Sequence, residues 1–468
     1  MACHTRWITA PLLVTALLLA VQPMRAGGQE ADAGSGKRAL TLAETVRSAL
    51  AANHGLMASA EQVAMASGRY QQARSVKFPQ LSASSQAFRS HVDRRRELTS
   101  GILTPAPENR YDEANLAFNA RQTVLDISRW KTSSSAHASE EAAENSYRTD
   151  QEDLVLEVQQ AYYNYLKTAR LLSVAEENSK VGQEQLKLAE KKLEVGTGVS
   201  ADVLKAKAQT AADRLAVIEA KKNVDIARQT LNHLMGLPLD TPLVVEDIDI
   251  DEPPPPPPVV DIEAAMEARP DIATRRHEVE AAEHSVGAAQ AQRYPTVGVQ
   301  LSYTRLMHGL NATYDVLTDT LGTVGTRESE TDPYGSWFAA AQLDLPLFTG
   351  GNTKGRINET RAALHAAQET LAESERAARL DVETAMRNAE AATEAIDVSR
   401  EGVAAAEEEN RLSQGFYTHG LVPILNLVES QAALLEARTN AVNAVYDYWI
   451  AQASLDRALG RGVSRFAQ

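Results

Sequence analysis

LEVGTGVSADVLKAKA, Leu193–Ala208, and its echo YTHGLVPILNLVESQA, Tyr417–Ala432, decide the fold. In each, a long helical pattern ends at a Gly and restarts within a few residues. Each then runs apolar toward a second Gly, LMGLP at Leu234–Pro238 and ALGR at Ala458–Arg461. The offsets agree: 420 − 196 and 460 − 236 are both 224. Gly at a helix end supplies the positive φ that a Cβ disfavours. The chain therefore reads as two copies of a long helical hairpin in one register, with Gly196, Gly198 and Gly420 at the bends.

The duplication extends upstream. Leu40–Glu44, LTLAE, opens a helix that Thr41 can cap, with Glu44 completing a capping box. That helical pattern breaks at Asn53–Leu56, NHGL, and the matching break is Arg269 in AMEARPDI, Ala265–Ile272. Pro79 and Pro295 end the helices that follow, and the offsets agree again: 269 − 53 and 295 − 79 are both 216. A fixed offset over this length is the signature of an internal repeat.

After each Pro the apolar period changes to two. In Thr296–Arg305, Val297, Val299, Leu301 and Tyr303 share one face. The earlier copy, Gln80–Arg89, places Leu81, Ala83 and Ala87 together. After the polar segments Ser90–Arg110 and His308–Pro333, a second strand returns in each half. Asn115–Leu125 aligns Leu116, Phe118, Ala120 and Val124; Trp337–Leu347 aligns Trp337, Ala339, Ala341, Leu343, Leu345 and Leu347. Alternation over about ten residues fits a tilted membrane strand. It fits a half-buried soluble hairpin equally well.

From Trp130 to Val195 and from Asn352 to Tyr417 the helical pattern has almost no breaker. At a rise of about 1.5 Å per residue each run is about 100 Å long. Leu154, Val158, Ala161, Tyr165, Thr168, Leu172 and Ala175 form a seven-residue seam. Leu425, Val428, Ala432, Leu435, Thr439, Val442, Tyr446 and Trp449 form another. DEPPPPPPVV, Asp251–Val260, is an extended strut between the halves.

The whole chain is 468 residues with net charge −15 and 5% aromatic content. The low aromatic share favours long helices over a thick core. The acidic balance argues against a nucleic-acid partner. Arg6, the apolar stretch Trp7–Val21 and small residues near Ala26 read as a signal peptide. Cys3 is the only Cys and lies inside it, so the mature chain carries no thiol. The expected layout is a signal peptide at 1–26, a first repeat at 27–250, the linker at 251–260 and a second repeat at 261–468.

Catalytic and cofactor signatures are missing: there is no HExxH, no paired-Cys site and no phosphate loop. His277 and His284, seven apart on one helix, are compatible with a shared metal and with ordinary solvated residues. The reading is of no enzyme, no cofactor and no resident metal.

Taken together, LTLAETVRSALAAN, ARPDI, QRYPTVGVQLSY, LDLPLFTGG, the two bend motifs and ALGR resemble the outer membrane efflux protein family, the TolC-like channels. The match spans nearly the whole mature chain. There are two departures, both in the first copy. Thr123 and DISRW (126–130) stand where the second copy has Pro and Gly-Gly, and NHGL stands for RPDI. The resemblance implies a mainly α fold with a β-barrel contribution: a trimeric α-barrel/β-barrel tunnel, anchored in outer-membrane lipid and extending into the periplasm. It implies a passive exit duct for efflux or type I secretion. Its partners would be a periplasmic adaptor, an inner-membrane transporter and two further copies of the chain. Ser90–Arg110 and His308–Pro333 become the extracellular loops. The aperture positions, six and nine residues after Gly420, fall on Asn426 and Glu429, with Asp202 as the first-hairpin counterpart. The competing class is a structural or adhesive coiled-coil protein.

Overall fold

The computed structural model describes residues 39–92, 97–99, 102–104, 108–248, 261–315 and 325–466. The expected signal peptide and the Pro-rich linker lie outside them. The first half runs α1 (Leu42–Ala52), α2 (His54–Arg74), β1 (Gln80–Val92), β2 (Glu97–Thr99), β3 (Ile102–Thr104), β4 (Glu108–Leu125), α3 (Ile127–Glu194) and α4 (Ser200–Leu234). The second runs α5 (Ile262–Ala268), α6 (Pro270–Ala291), β5 (Thr296–Asp315), β6 (Gly325–Thr331), β7 (Gly335–Asp344), α7 (Asn352–Thr418) and α8 (Ile424–Ala458). The copies match in length: α3 has 68 residues and α7 67, and α4 and α8 have 35 each.

Local chemistry explains the boundaries. Thr41 and Glu44 form a reciprocal capping box at the start of α1. Asn53 and Arg269 have nearly the same backbone, φ −70 and ψ 120 against φ −73 and ψ 121. Each ends one helix and starts the next. Asn53 Nδ2 donates to the Leu234 carbonyl at 3.1 Å, and Arg269 Nη1 donates to the Ala458 carbonyl at 3.1 Å. These two carbonyls keep the offset of the Gly pairs, since 458 − 234 is again 224. Gly236 and Gly460 close the same joint with φ of 68 and 65. The entry into the long helices differs between copies. Asp126 Oδ1 caps α3 by accepting from the Arg129 amide at 2.9 Å, whereas α7 follows Gly350 and Gly351, both at positive φ.

Among the described residues β2 and β3 pair separately as a two-stranded ribbon, and five strands form one antiparallel sheet in the order β1–β4–β5, with β6 and β7 sharing the far side of β5. Its register aligns the alternating residues across all these strands. Leu81 pairs Ala120, which pairs Leu301, which pairs Ala339. Ala83, Phe118, Tyr303 and Trp337 make the next row. One face is therefore apolar from edge to edge. The other carries Ser82, Asn119, Ser302 and Phe338 in one row, with Ser302 Oγ donating to Asn119 Oδ1 at 2.8 Å.

Three details differ from the sequence reading. The strands outrun their alternating stretches, β1 to Val92 and β5 to Asp315, and β4 begins at Glu108. Much of the polar segments Ser90–Arg110 and His308–Pro333 is thus strand. Ladder bonds are made by the backbone, so polar side chains do not end them. Val124 is the extra residue of a bulge, and Leu125 takes the place opposite Val297. Leu345 and Leu347 lie beyond β7, which ends at Asp344 just before Pro346; Pro cannot continue the ladder.

The largest apolar core surrounds the middle of α3. Val155, Val158, Tyr162 and Leu166 pack with Val46 of α1, Leu231 of α4 and Tyr446 of α8. Tyr162 donates its hydroxyl to the Glu246 carbonyl at 2.7 Å, fixing the segment after α4. In the α8 seam Leu425 and Ala432 are exposed. Ile424 and Leu427 are buried instead, against Tyr417, Ala189 and Ala206. The first turn of α8 is set by packing at the bend, not by the heptad.

Two Gly→Ala substitutions separate backbone strain from steric closure. At Gly420, φ is 75 and a Cβ would meet nothing within 4 Å. Gly420→Ala is expected to destabilise by about 1 kcal/mol. At Gly236, φ is 68 and a Cβ would lie 2.5 Å from the Ala52 carbonyl oxygen. Gly236→Ala adds overpacking to strain and is expected to cost about 3 kcal/mol. Thermal unfolding of the purified variants checks the order; equal losses contradict it.

Candidate functional site

The two bends share one construction. After α3 the amides of Gly196 and Gly198 donate to the carbonyls of Leu193 and Lys192. After α7 the amides of Gly420 and Leu421 donate to those of Tyr417 and Phe416. Gly196 and Gly420 have φ of 77 and 75. Gly198 serves differently: a Cβ there would press on the Leu193 amide nitrogen at 2.9 Å.

The tips of the two hairpins pack on each other. Ala189, Ala206, Tyr417, Ile424, Leu427 and Val428 form a small apolar core between them. Lys192 Nζ sits 4.1 Å from the centroid of the Tyr417 ring and donates to the Tyr417 carbonyl. A cation over an aromatic face in a partly desolvated site is favourable by about 1 kcal/mol. The Tyr417 hydroxyl is buried without a partner among the described residues. Burial raises its pKa, and the negative charge of Asp202 pushes it the same way.

Asp202 and Asn426 occupy equivalent positions in the first turns of α4 and α8, with 426 − 202 again equal to 224. Their surroundings differ. Asp202 is half-buried and acts on Tyr417. Asn426 and Glu429 are exposed, one helical turn apart on α8, on the side opposite Leu427 and Val428. His277 and His284 lie far away on α6.

A buried polar chain behind the tips was not foreseen from the sequence. Gln185 of α3 donates to Gln431 of α8. Gln431 donates to Asn178 Oδ1 at 3.0 Å, and Asn178 donates to Asp213 Oδ1 at 3.1 Å. Gln209 of α4 donates to the same oxygen at 3.0 Å. This chain ties α3, α4 and α8 together. Its signal was available: Asn178 and Gln185 are seven apart, and Gln209 and Asp213 four apart, on otherwise packed faces. Asp213 is 4% exposed, and its Oδ2 is buried with no hydrogen bond among the described residues. Oδ2 faces Gly182, where any Cβ would collide with it.

Burial raises the Asp213 pKa, and the bonds from Gln209 and Asn178 oppose the rise without cancelling it. The folded state thus favours the neutral acid. That contribution is complete below the ordinary Asp pKa and is lost as pH rises through the raised value. Asp213→Asn should therefore match the wild type in acid and exceed its thermal stability at neutral pH. Unfolding midpoints measured across that range check this, and a pH-independent difference contradicts it.

The family described as outer membrane efflux protein matches residues 45–237 and 262–461. Outer membrane protein TolC of Escherichia coli (strain K12) is 23% identical over 408 residues, covering 84% of this chain and 81% of the relative. Alkaline protease secretion protein AprF of Pseudomonas aeruginosa is 24% identical over 388 residues, covering 82% and 76%. In backbone the chain is similar to the crystal structure of CusC, with a TM-score of 0.74 and 19% identity, covering 89% of this chain and 91% of that one.

Proposed function

Because the chain belongs to the outer membrane efflux protein family, we propose that it is the outer-membrane exit duct of an efflux or secretion system. It conducts passively. Its relatives are channel proteins, not enzymes. The observation that carries this reading is the sheet: one face apolar from β1 to β7, continuous with helices about 100 Å long. A periplasmic coiled coil has no use for such a face.

A sheet four strands wide, β1, β4, β5 and then β6 with β7 in line, cannot enclose a lumen, and lipid tolerates no open sheet edge. Three copies supply about twelve strands and a water-filled interior. The helices support the same assembly. Leu204, Leu215 and Ile218 on α4, and Leu380 and Val398 on α7, are exposed in the single chain. These faces suit neighbouring copies. The energy source is an inner-membrane transporter, reached through a periplasmic adaptor.

The hairpin tips form the periplasmic aperture. Three copies place three Glu429 carboxylates around one axis, where they attract cations into the mouth. Asn426, one turn away, adds neutral polar groups. Asp202 lies close enough to Tyr417, across the two tips, for its charge to oppose ionisation of the tyrosine hydroxyl.

Planar bilayers test both levels. Purified wild-type protein should give stepwise, cation-preferring conductance, whereas a structural coiled coil gives none. Glu429→Gln should shift the reversal potential toward zero, and Asn426→Ala should leave it in place. Unchanged selectivity in Glu429→Gln removes Glu429 from the aperture.

A further inference from the structure

Helices α3 and α6 belong to different repeats, yet small residues bring them together. Ser128 Oγ donates to the Ala288 carbonyl at 2.9 Å. Two turns on, Ser135 Oγ donates to the Ala281 carbonyl at 2.8 Å and lies 3.0 Å from Ser285 Oγ. The next turns place Glu141 of α3 opposite His277 and Glu280 of α6. His277 Nδ1 lies 3.4 Å from Glu141 Oε2 and 3.4 Å from Glu280 Oε2. The three ligand atoms all lie within 4.8 Å of one another.

We propose that Glu141, His277 and Glu280 form a zinc site that clamps the first repeat to the second. Three observations converge on it. His277 Nδ1 is buried and makes no hydrogen bond among the described residues, though it points between two carboxylates. Tetrahedral zinc with bonds of about 2.0–2.1 Å sets its ligands about 3.4 Å apart, the spacing that His277 Nδ1 keeps to each of the two carboxylates. Two carboxylates flanking one imidazole carry charge that a divalent cation neutralises.

The donor set selects the ion class. One imidazole with two carboxylates suits zinc and similar transition metals, whereas magnesium and calcium prefer all-oxygen shells. With three protein ligands, water takes the fourth position. Each carboxylate has a second histidine beside it, His284 at the outer oxygen of Glu280 and His137 at the same oxygen of Glu141 that faces His277. His137 Nδ1 is 3.5 Å from Glu141 Oε2, and His284 Nε2 is 3.7 Å from Glu280 Oε1. Such partners hold ligands in orientation. His137 is itself packed edge-on against Tyr70 of α2, with centroids 4.8 Å apart. The Glu280 side chain is 50% exposed, which leaves an entry path for the ion.

The rival account is a protonated His277 bridging two carboxylates with no metal. Calorimetric titration of chelator-treated, detergent-solubilised full-length protein with zinc chloride near neutral pH separates them. The expected result is one saturable site per chain and a raised unfolding midpoint. Glu141→Gln and His277→Ala should each weaken binding by about 100-fold, no less than the loss of an outer-shell partner does. His233→Ala, on α4, should bind as the wild type. Circular dichroism confirms that each variant keeps its helices, and Glu141→Gln preserves the packing volume. Absence of saturable binding overturns the proposal in favour of the protonated bridge. Wild-type affinity in both ligand variants, or equal displacement by magnesium, overturns it as well.

Discussion

The unpaired backbone at the two edges of the sheet governs the rest. β1 on one side, and β6 with β7 on the other, each offer N–H and C=O groups that no strand among the described residues meets. In water those groups would be solvated. In the hydrocarbon region each unsatisfied group costs several kcal/mol. The apolar face rows, Leu81–Ala120–Leu301–Ala339 among them, place the sheet in that region. A single chain is therefore unfinished in the medium its surface selects. Because β1 and β7 run in opposite directions, the proposed assembly of copies would continue the antiparallel ladder. In that assembly the exposed apolar residues of α4 and α7 would face neighbouring copies.

Duplication explains how so long a chain is built from few parts. The joint between the short helices and the hairpin is the clearest case. Asn53 and Arg269 differ in size and charge, yet each donates to the carbonyl two residues before a positive-φ Gly. The backbone geometry is shared and the chemistry is free to vary. Arg269 uses that freedom, reaching Asp271 at 2.8 Å and Asp381 at 2.9 Å as well. Arg457 also bonds Asp381 and reaches Asp153 of α3, linking the two repeats. The hairpin tips show the same divergence in Asp202 and Asn426, equivalent in position but different in surroundings.

What the sequence made legible was local or periodic. The Gly offsets, the Thr41–Glu44 box and the alternation of Val297, Val299, Leu301 and Tyr303 need only nearby residues. The extents of β1 and β5 were hidden because backbone pairing carries a strand through polar side chains. The Val124 bulge depends on its partner strand β5, which lies in the other repeat, as the pairing of Leu125 with Val297 shows. The buried Gln185–Gln431 contact joins the two repeats in the same way, and no periodicity on α3 announces its partner on α8. His277 drew notice through His284, but its close neighbours are Glu141 and Glu280. Only the packing of α3 on α6 reveals the first of these.

Disulfide trapping across the open edges tests the central claim most directly. Cys3 is the only native Cys and lies in the expected signal peptide, so the background is clean. Single Cys pairs would join Ser82, Ser84 or Gln86 of β1 to Ala340 or Gln342 of β7, all on the polar face. Oxidation in outer membranes, followed by non-reducing electrophoresis, should give at least one pair with a ladder that stops at three chains. A ladder that stops at two, or no linkage at any of these pairs, contradicts closure of the barrel by neighbouring copies.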